Sequence, residues 1–258
     1  MDAVPLVPPM RFLGHSTVLV EIDGVQILTD PVLLPRTARV LRRVGQPVDP
    51  NLCAGVDLIV ISHLHADHLD LPSLRRLGPT TPIVVPRGAG AYLAGKGFGD
   101  VTELGPGDEH QHKGVTVTAT FADHDGLRAP FGPRALAVGY VLEGGGSRVY
   151  FAGDTDLFPE MEEIGGDGLD AALNPVWGWG PNLGPGHLDP TRAAEATRRL
   201  NPRVAVPIHW GTLHPYGIGR WMRNHLVDPP VRYARAVRAL GLPTVVAHTE
   251  PGARVGEP

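Results

Sequence analysis

The sequence predicts one α/β domain over residues 1–258. Three observations carry that expectation. Apolar runs of strand length recur along the chain, and several end at a histidine or aspartate. Glycine (33) and proline (27) are abundant but scattered between these runs, which marks many tight turns and not disorder. Five shorter stretches read as helices, and no linker divides the chain into two units.

In chain order, Ser16–Ile22 and Val25–Thr29 are predicted strands joined by Asp23-Gly24, a two-residue hairpin signal. His15 and Asp30 stand at strand ends, where each either caps a turn or orients a metal-binding histidine. Residues 32–52 depart from the pattern, with Arg36, Arg39, Arg42 and Arg43 among Val40, Leu41 and Val44. This basic excursion suits either a lip over a pocket for an anionic substrate or a solvated surface helix.

Val56–Ser62 is a predicted buried strand, and Asp70-Leu71-Pro72-Ser73 starts a helix through Leu77. Ile83–Pro86 is a short strand, Gly88–Gly95 a helix and Val101–Leu104 a strand. His110 and His112 lie beside the Gly105–Asp108 turn and are expected to be exposed. Val115–Phe121 alternates as a strand and leads to His124. The Gly126–Arg134 loop is rich in proline and glycine and is placed to border a substrate pocket.

A second hairpin, Ala135–Glu143 with Ser147–Ala152, ends at Gly153-Asp154-Thr155, where small residues let the backbone turn the carboxylate inward. A helix over Asp156–Ile164 and a strand over Leu169–Asn174 follow. A loop rich in glycine and proline, Pro175–His187, then leads to Asp189-Pro190-Thr191, a cap and first turn for a helix to Leu200. Arg203–Ile208 is a strand ending at His209, and a mobile-looking loop carries Leu213–Gly217. A helix over Val231–Leu240 and a strand over Thr244–Ala247 complete the chain.

Composition narrows the function classes. Hydrophobic content of 42% and charged content of 19% fit a soluble globular protein. No apolar run is long enough to span a bilayer, and Val4–Pro9 is too short and proline-rich for a signal peptide. With the one cysteine, Cys53, no intrachain disulfide forms, so a cytoplasmic location is expected. A net charge of −4 argues against a nucleic-acid partner. Cys53, just before a buried strand and without a basic neighbour, reads as a small apolar residue and not a nucleophile.

The most informative stretch is His63-Leu64-His65-Ala66-Asp67-His68, which reads H-x-H-x-D-H directly after a buried strand. Imidazole nitrogens and a carboxylate suit zinc and similar ions. His124, Asp154 and His209 likewise follow strands, and seven such ligands suit two ions. At these residues the chain resembles the metallo-β-lactamase superfamily of metal-dependent hydrolases. Its closest resemblance is to the branch with ascorbate-6-phosphate lactonase-like proteins and N-acylphosphatidylethanolamine-type phospholipases D. Phe12–Thr17, Leu28–Pro31, Gly186–Pro190 and Pro207–Gly211 also carry the likeness, over roughly residues 11–215.

The resemblance implies a four-layer αβ/βα sandwich with the metals at one edge. It implies that His63, His65 and His124 hold one ion, that Asp67, His68 and His209 hold the other, and that Asp154 bridges them. Zinc is the expected metal, with manganese or iron as alternatives. The resulting hydroxide would attack a phosphodiester or a lactone or ester, and Asp67 would also take a proton from the water. The resemblance places His187 near the metals as a donor or acid; the alternative is a histidine that orders the glycine-rich loop. Trp177, Trp179 and Trp210, read from the residues alone, either wall the pocket or pack in the core. The expected substrate is a small or lipid-like anion, and the lipid-acting relatives imply peripheral membrane contact through the arginine excursion. Two other readings stand beside a hydrolase: a non-catalytic metal-binding sensor or interaction module, and a nuclease.

Overall fold

A computed structural model describes residues 7–128 and 132–257. The first six residues, and residues 129–131 of the loop expected to border a pocket, lie outside the described residues. Each half of the chain repeats one plan, an antiparallel meander extended by parallel crossovers. β1 (Met10–Gly14), β2 (Thr17–Ile22) and β3 (Val25–Thr29) form the first meander. Two short strands follow, β4 (Arg36–Thr37) and β5 (Leu41–Arg43). β6 (Leu58–Val60), β7 (Ile83–Pro86) and β8 (Val101–Leu104) then continue parallel to β3, with α1 (Leu71–Leu77) and α2 (Gly90–Ala94) as crossovers.

In the second half, β9 (Glu109–His112), β10 (Val115–Phe121), β11 (Val138–Gly144) and β12 (Ser147–Phe151) form the meander. α3 (Met161–Gly165), β13 (Ala171–Pro175), α4 (Pro190–Leu200) and β14 (Val204–Ile208) extend it in parallel. β15 (Leu213–Pro215) leaves this sheet and pairs with β5, and β5 pairs with β4, giving a separate three-stranded sheet. α5 (Arg223–Ala239) and β16 (Val245–Val246) close the chain, β16 parallel to β14.

The layers follow from the alternation of side chains along a strand. Leu58, Val60 and Val84 enter the core between the two large sheets, where they join Val117, Ala119, Tyr140 and Phe151. Their neighbours Ile59, Ile61, Ile83 and Val85 face the other way and pack on Leu74 of α1 and Leu93 of α2. Parallel strands buried on both faces therefore read as unbroken apolar runs. α4 contacts β13 and α5 on the outside of the second sheet. The result is the four-layer αβ/βα sandwich expected from the resemblance. No helix of the described residues is long and apolar enough to cross a membrane.

The helix caps agree with the sequence. Asp70 accepts from Ser73 N at the start of α1, and Asp189 accepts from Thr191 N and Arg192 N at the start of α4. Four expectations need correction. The helix placed over Asp156–Ile164 begins only at Met161, because Asp156 bridges to the backbone of Asp123 and its carboxylate receives Arg192. The last helix begins at Arg223 and runs through Pro229 and Pro230, anchored by Tyr233, whose hydroxyl lies 2.6 Å from Thr197 Oγ1. His110 and His112 are half-buried in edge strand β9, opposite Val117 and Val115. Around its arginines the excursion is not a surface helix: it supplies β4 and β5.

Candidate metal centre

Strands β1, β3, β6, β10, β12 and β14 all end at one edge of the sandwich. Just beyond their last residues stand His15, Asp30, His63, His124, Asp154 and His209. His65, Asp67 and His68 follow His63 in the same loop. The structure thus brings together all seven sequence-predicted ligands, with His187 beside them. Two groups form. His63, His65 and His124 present ligand atoms within 4.8 Å of one another, and so do His15, Asp67, His68 and His209. Asp154 lies between the groups: its Oδ2 is 3.2 Å from both His68 Nε2 and His209 Nε2, and 3.4 Å from His187 Nε2.

Hydrogen bonds on the outer side of each ring fix which nitrogen faces inward. His68 Nδ1–H donates to Asp30 Oδ2 at 2.6 Å, and His209 Nδ1–H donates to the Trp177 carbonyl at 2.8 Å. In the neutral imidazoles each Nε2 presents its lone pair inward, and the two Nε2 atoms face each other at 3.1 Å. His124 Nδ1–H donates to the Gly186 carbonyl at 2.7 Å, which leaves its Nε2 lone pair 3.1 Å from His65 Nδ1. His63 Nδ1–H donates to Ser62 Oγ, and Ser62 Oγ–H donates in turn to Asp30 Oδ2.

Two buried atoms in this cluster have no hydrogen-bond partner, His63 Nε2 and Asp154 Oδ1. Such groups are costly to bury unless something else engages them. Converging lone pairs, two orphaned ligand atoms and a set of imidazoles and carboxylates fit metal ions. The charges agree. Burial pushes the pKa of His63, His65, His124 and His209 down, toward neutral imidazoles. Burial alone would raise Asp67 and Asp154, but the imidazoles around them outweigh it and hold both carboxylates well below the usual range. Neither carboxylate has a lysine or arginine partner among the described residues.

Burial also opposes the charged form of His68, yet Asp154, Asp67 and Asp30 override it and raise its pKa. The field around His68 Nε2 thus favours a positive charge, which a cation supplies as well as a proton does.

His15 and Asp30 resolve in favour of orienting roles. His15 Nε2 is 3.0 Å from Asp67 Oδ2, and buried Asp30 accepts from Ser62 N, Ser62 Oγ and His68 Nδ1. His15 (φ 55), Asp30 (φ 32) and His209 (φ 61) all have left-handed backbones, an uncommon conformation that concentrates at functional sites. Gly153 also needs its conformation (φ +62), and a Cβ there would stand 2.5 Å from Ser62 Cβ. Ser62 was not singled out from the sequence. Its signal was a hydroxyl at the buried end of a strand, directly before the first histidine.

Of the three tryptophans, Trp210 takes the core alternative, buried against Phe12. Trp177 holds His209 through its carbonyl and stacks on His225, while Trp179 is partly exposed.

Comparison with known proteins agrees with this geometry. The profile of the Beta-lactamase superfamily domain matches residues 26–210. A UPF0173 metal-dependent hydrolase of Methanopyrus kandleri is 33% identical over 251 residues, covering 94% of this chain and 97% of that protein. An N-acyl-phosphatidylethanolamine-hydrolyzing phospholipase D 1 of Caenorhabditis elegans is 31% identical over 229 residues, covering 80% of this chain and 64% of that longer protein. Among solved structures, Igni18, a metallo hydrolase of Ignicoccus hospitalis, superposes with a TM-score of 0.71 at 28% identity, covering 96% and 97% of the two chains. The matched profile, the full-length relatives and the shared sandwich lead to one conclusion: the chain belongs to the metallo-β-lactamase superfamily and is a metal-dependent hydrolase of that fold.

Proposed function

We propose that the protein holds two divalent ions, zinc in the first instance, and hydrolyses an anionic phosphodiester. His63, His65 and His124 would hold one ion; Asp67, His68 and His209 the other; Asp154 would join both. The observation that carries this is the pair of facing lone-pair sets, with His63 Nε2 and Asp154 Oδ1 both buried and unpartnered. The phosphodiester is preferred over a lactone because of the worm relative, whose name specifies phospholipase D action on N-acyl-phosphatidylethanolamine. The seven ligands, the division between ions and the single-domain reading of residues 1–258 are parts of this proposal.

Ions bound there supply Lewis acidity, polarising a substrate oxygen and lowering the pKa of water. The protein supplies the rest. Asp30 and Ser62 lock His63 and His68 with their Nε2 atoms inward. Asp67 stays ionised, with one oxygen held by His15, and accepts a hydrogen bond that orients the attacking water before taking its proton. His187 is half-buried. In the metal-free protein burial opposes its charge, but the Asp154 carboxylate and the carbonyls of Pro185 and Gly184 push its pKa up to about 9. It is placed to give a proton to the leaving oxygen.

The test uses zinc- and manganese-loaded protein on matched panels of aryl phosphodiesters and lactones, with His65→Ala as control. Phosphodiester turnover lost in the control supports the proposal. Lactone turnover alone would move the protein to the lactonases. Bound metal with no turnover on either panel would favour the sensor or interaction module.

A further inference from the structure

The metal centre as described leaves the arginine-bearing segment without a role. Arg36, Arg39 and Arg42 are exposed, but Arg43 is only 8% exposed. Its guanidinium has no ion pair among the described residues, and Nη1 has no hydrogen-bond partner. Burial pushes its pKa down to about 10, so it stays charged at neutral pH. Burying a charge without a counter-charge is costly, and a neutral side chain would avoid that cost. Its surroundings show what the charge does.

Arg43 Nη2 donates to the Leu13 carbonyl, at the turn that carries His15. A Cβ on Gly14 would stand 3.1 Å from Arg43 Nη1 and 2.7 Å from Thr212 Oγ1, so only glycine, here at φ +109, lets both side chains close on the turn. Thr212 Oγ1 accepts from His15 N at 2.7 Å, and the Thr212 carbonyl accepts from Val44 N at 2.7 Å. The His15 carbonyl accepts from His209 N at 2.7 Å, and His15 Nε2 reaches Asp67. On the other side of the small sheet, the Thr37 hydroxyl is 2.8 Å from the Ala66 carbonyl, within the H-x-H-x-D-H loop. Among the described residues, no hydrogen bond or ion pair links this sheet to the His124 and Asp154 loops. They are tied to each other, through Asp123 N to Thr155 Oγ1 and Asp156 N to the Asp123 carbonyl.

We propose that Arg43 is a positioning residue for the metal centre. It clamps the Gly14–His15 turn, His15 sets the Asp67 carboxylate, and the β4–β5–β15 sheet thereby tunes the Asp67–His68–His209 group separately from the His63–His65–His124 group. This rests on the two-ion reading above.

The test compares Arg43→Met, Arg43→Lys and Thr212→Val with wild type, each folded by circular dichroism. Zinc isotherms are read beside the melting temperature of the metal-free protein. Wild type is expected to bind in two steps. In Arg43→Met and Thr212→Val one step weakens at least about tenfold, as loss of an outer partner does, while the other step is unchanged; Arg43→Lys recovers part of the loss. Equal weakening of both steps, or no change in either, overturns the proposal. If wild type binds fewer than two ions, the two-ion reading fails, and Arg43 is judged on the metal-free protein instead. There the hydrogen-bonded Nε2–H of His15 is followed by 1H–15N NMR. Its loss in Arg43→Met supports the positioning role, and its persistence overturns it.

Discussion

Replacing Asp30 with asparagine removes a charge without changing shape, and its effect can be worked out from three hydrogen bonds. Buried Asp30 accepts from Ser62 N at 2.7 Å on Oδ1, and from Ser62 Oγ and His68 Nδ1, both at 2.6 Å, on Oδ2. Asparagine tolerates the left-handed backbone at this position (φ 32), so no new strain is introduced. Its amide nevertheless cannot satisfy both edges. With the carbonyl toward His68, the amide N–H groups oppose Ser62 N–H. With the amide reversed, His68 must carry its proton on Nε2, pointing into the centre, and the Ser62 hydroxyl can no longer donate to this side chain, although Ser62 N still does. Either choice removes at least one bond to a charged group, worth roughly 1.5–3 kcal/mol. For metal affinity, loss of such an outer partner costs about 10- to 100-fold, or about 1.4–2.8 kcal/mol. Equilibrium dialysis against buffered zinc, with metal content measured by mass spectrometry, reads this directly. A folded Asp30→Asn protein with wild-type zinc affinity would refute the assignment of inward-facing Nε2 atoms.

Four further outcomes follow from the same contacts. Removing metal with a chelator leaves Asp67 and Asp154 without a cation; at ion concentrations about 1,000-fold above Kd the lost stabilisation is about 4 kcal/mol, and calorimetry should show a melting temperature about 8–16 °C lower, reversed by zinc. His187→Asn should lower kcat by about 10²-fold or more, as loss of a general acid does, with metal content unchanged; a proportional loss of metal would make His187 a ligand. Cys53 is buried and its thiol is pushed up to about 11, mainly by burial, so it should resist iodoacetamide at pH 8 until the protein unfolds. Asp189→Ala removes two hydrogen bonds from the start of α4 and should cost about 1 kcal/mol in urea titration.

Much of the centre was legible because its chemistry sits where strands end. A buried apolar run followed at once by histidine or aspartate is a local signal, and it picked out His63, His124, Asp154 and His209 with no knowledge of pairing. The outer partners were less legible. Asp30 before a proline looks the same whether it caps a turn or holds His68, since the difference lies 38 residues away. The small sheet was illegible for a similar reason. Leu41–Arg43 finds its partner at Leu213–Pro215, across the whole chain, and strands of two or three residues are too short to show alternation. The start of the last helix is illegible in the sequence because Pro229 and Pro230 argue locally against a helix, whereas Tyr233 and Val237, packed in the core, anchor it.

If the proposed function is right, two ions sit at the edge where both sheets end. Anomalous diffraction at the zinc edge, on crystals of zinc-loaded protein, tests it most directly. Two peaks are predicted, one among His63, His65 and His124, the other among Asp67, His68 and His209, with Asp154 between them. A single peak, or peaks bound to other residues, would contradict the account.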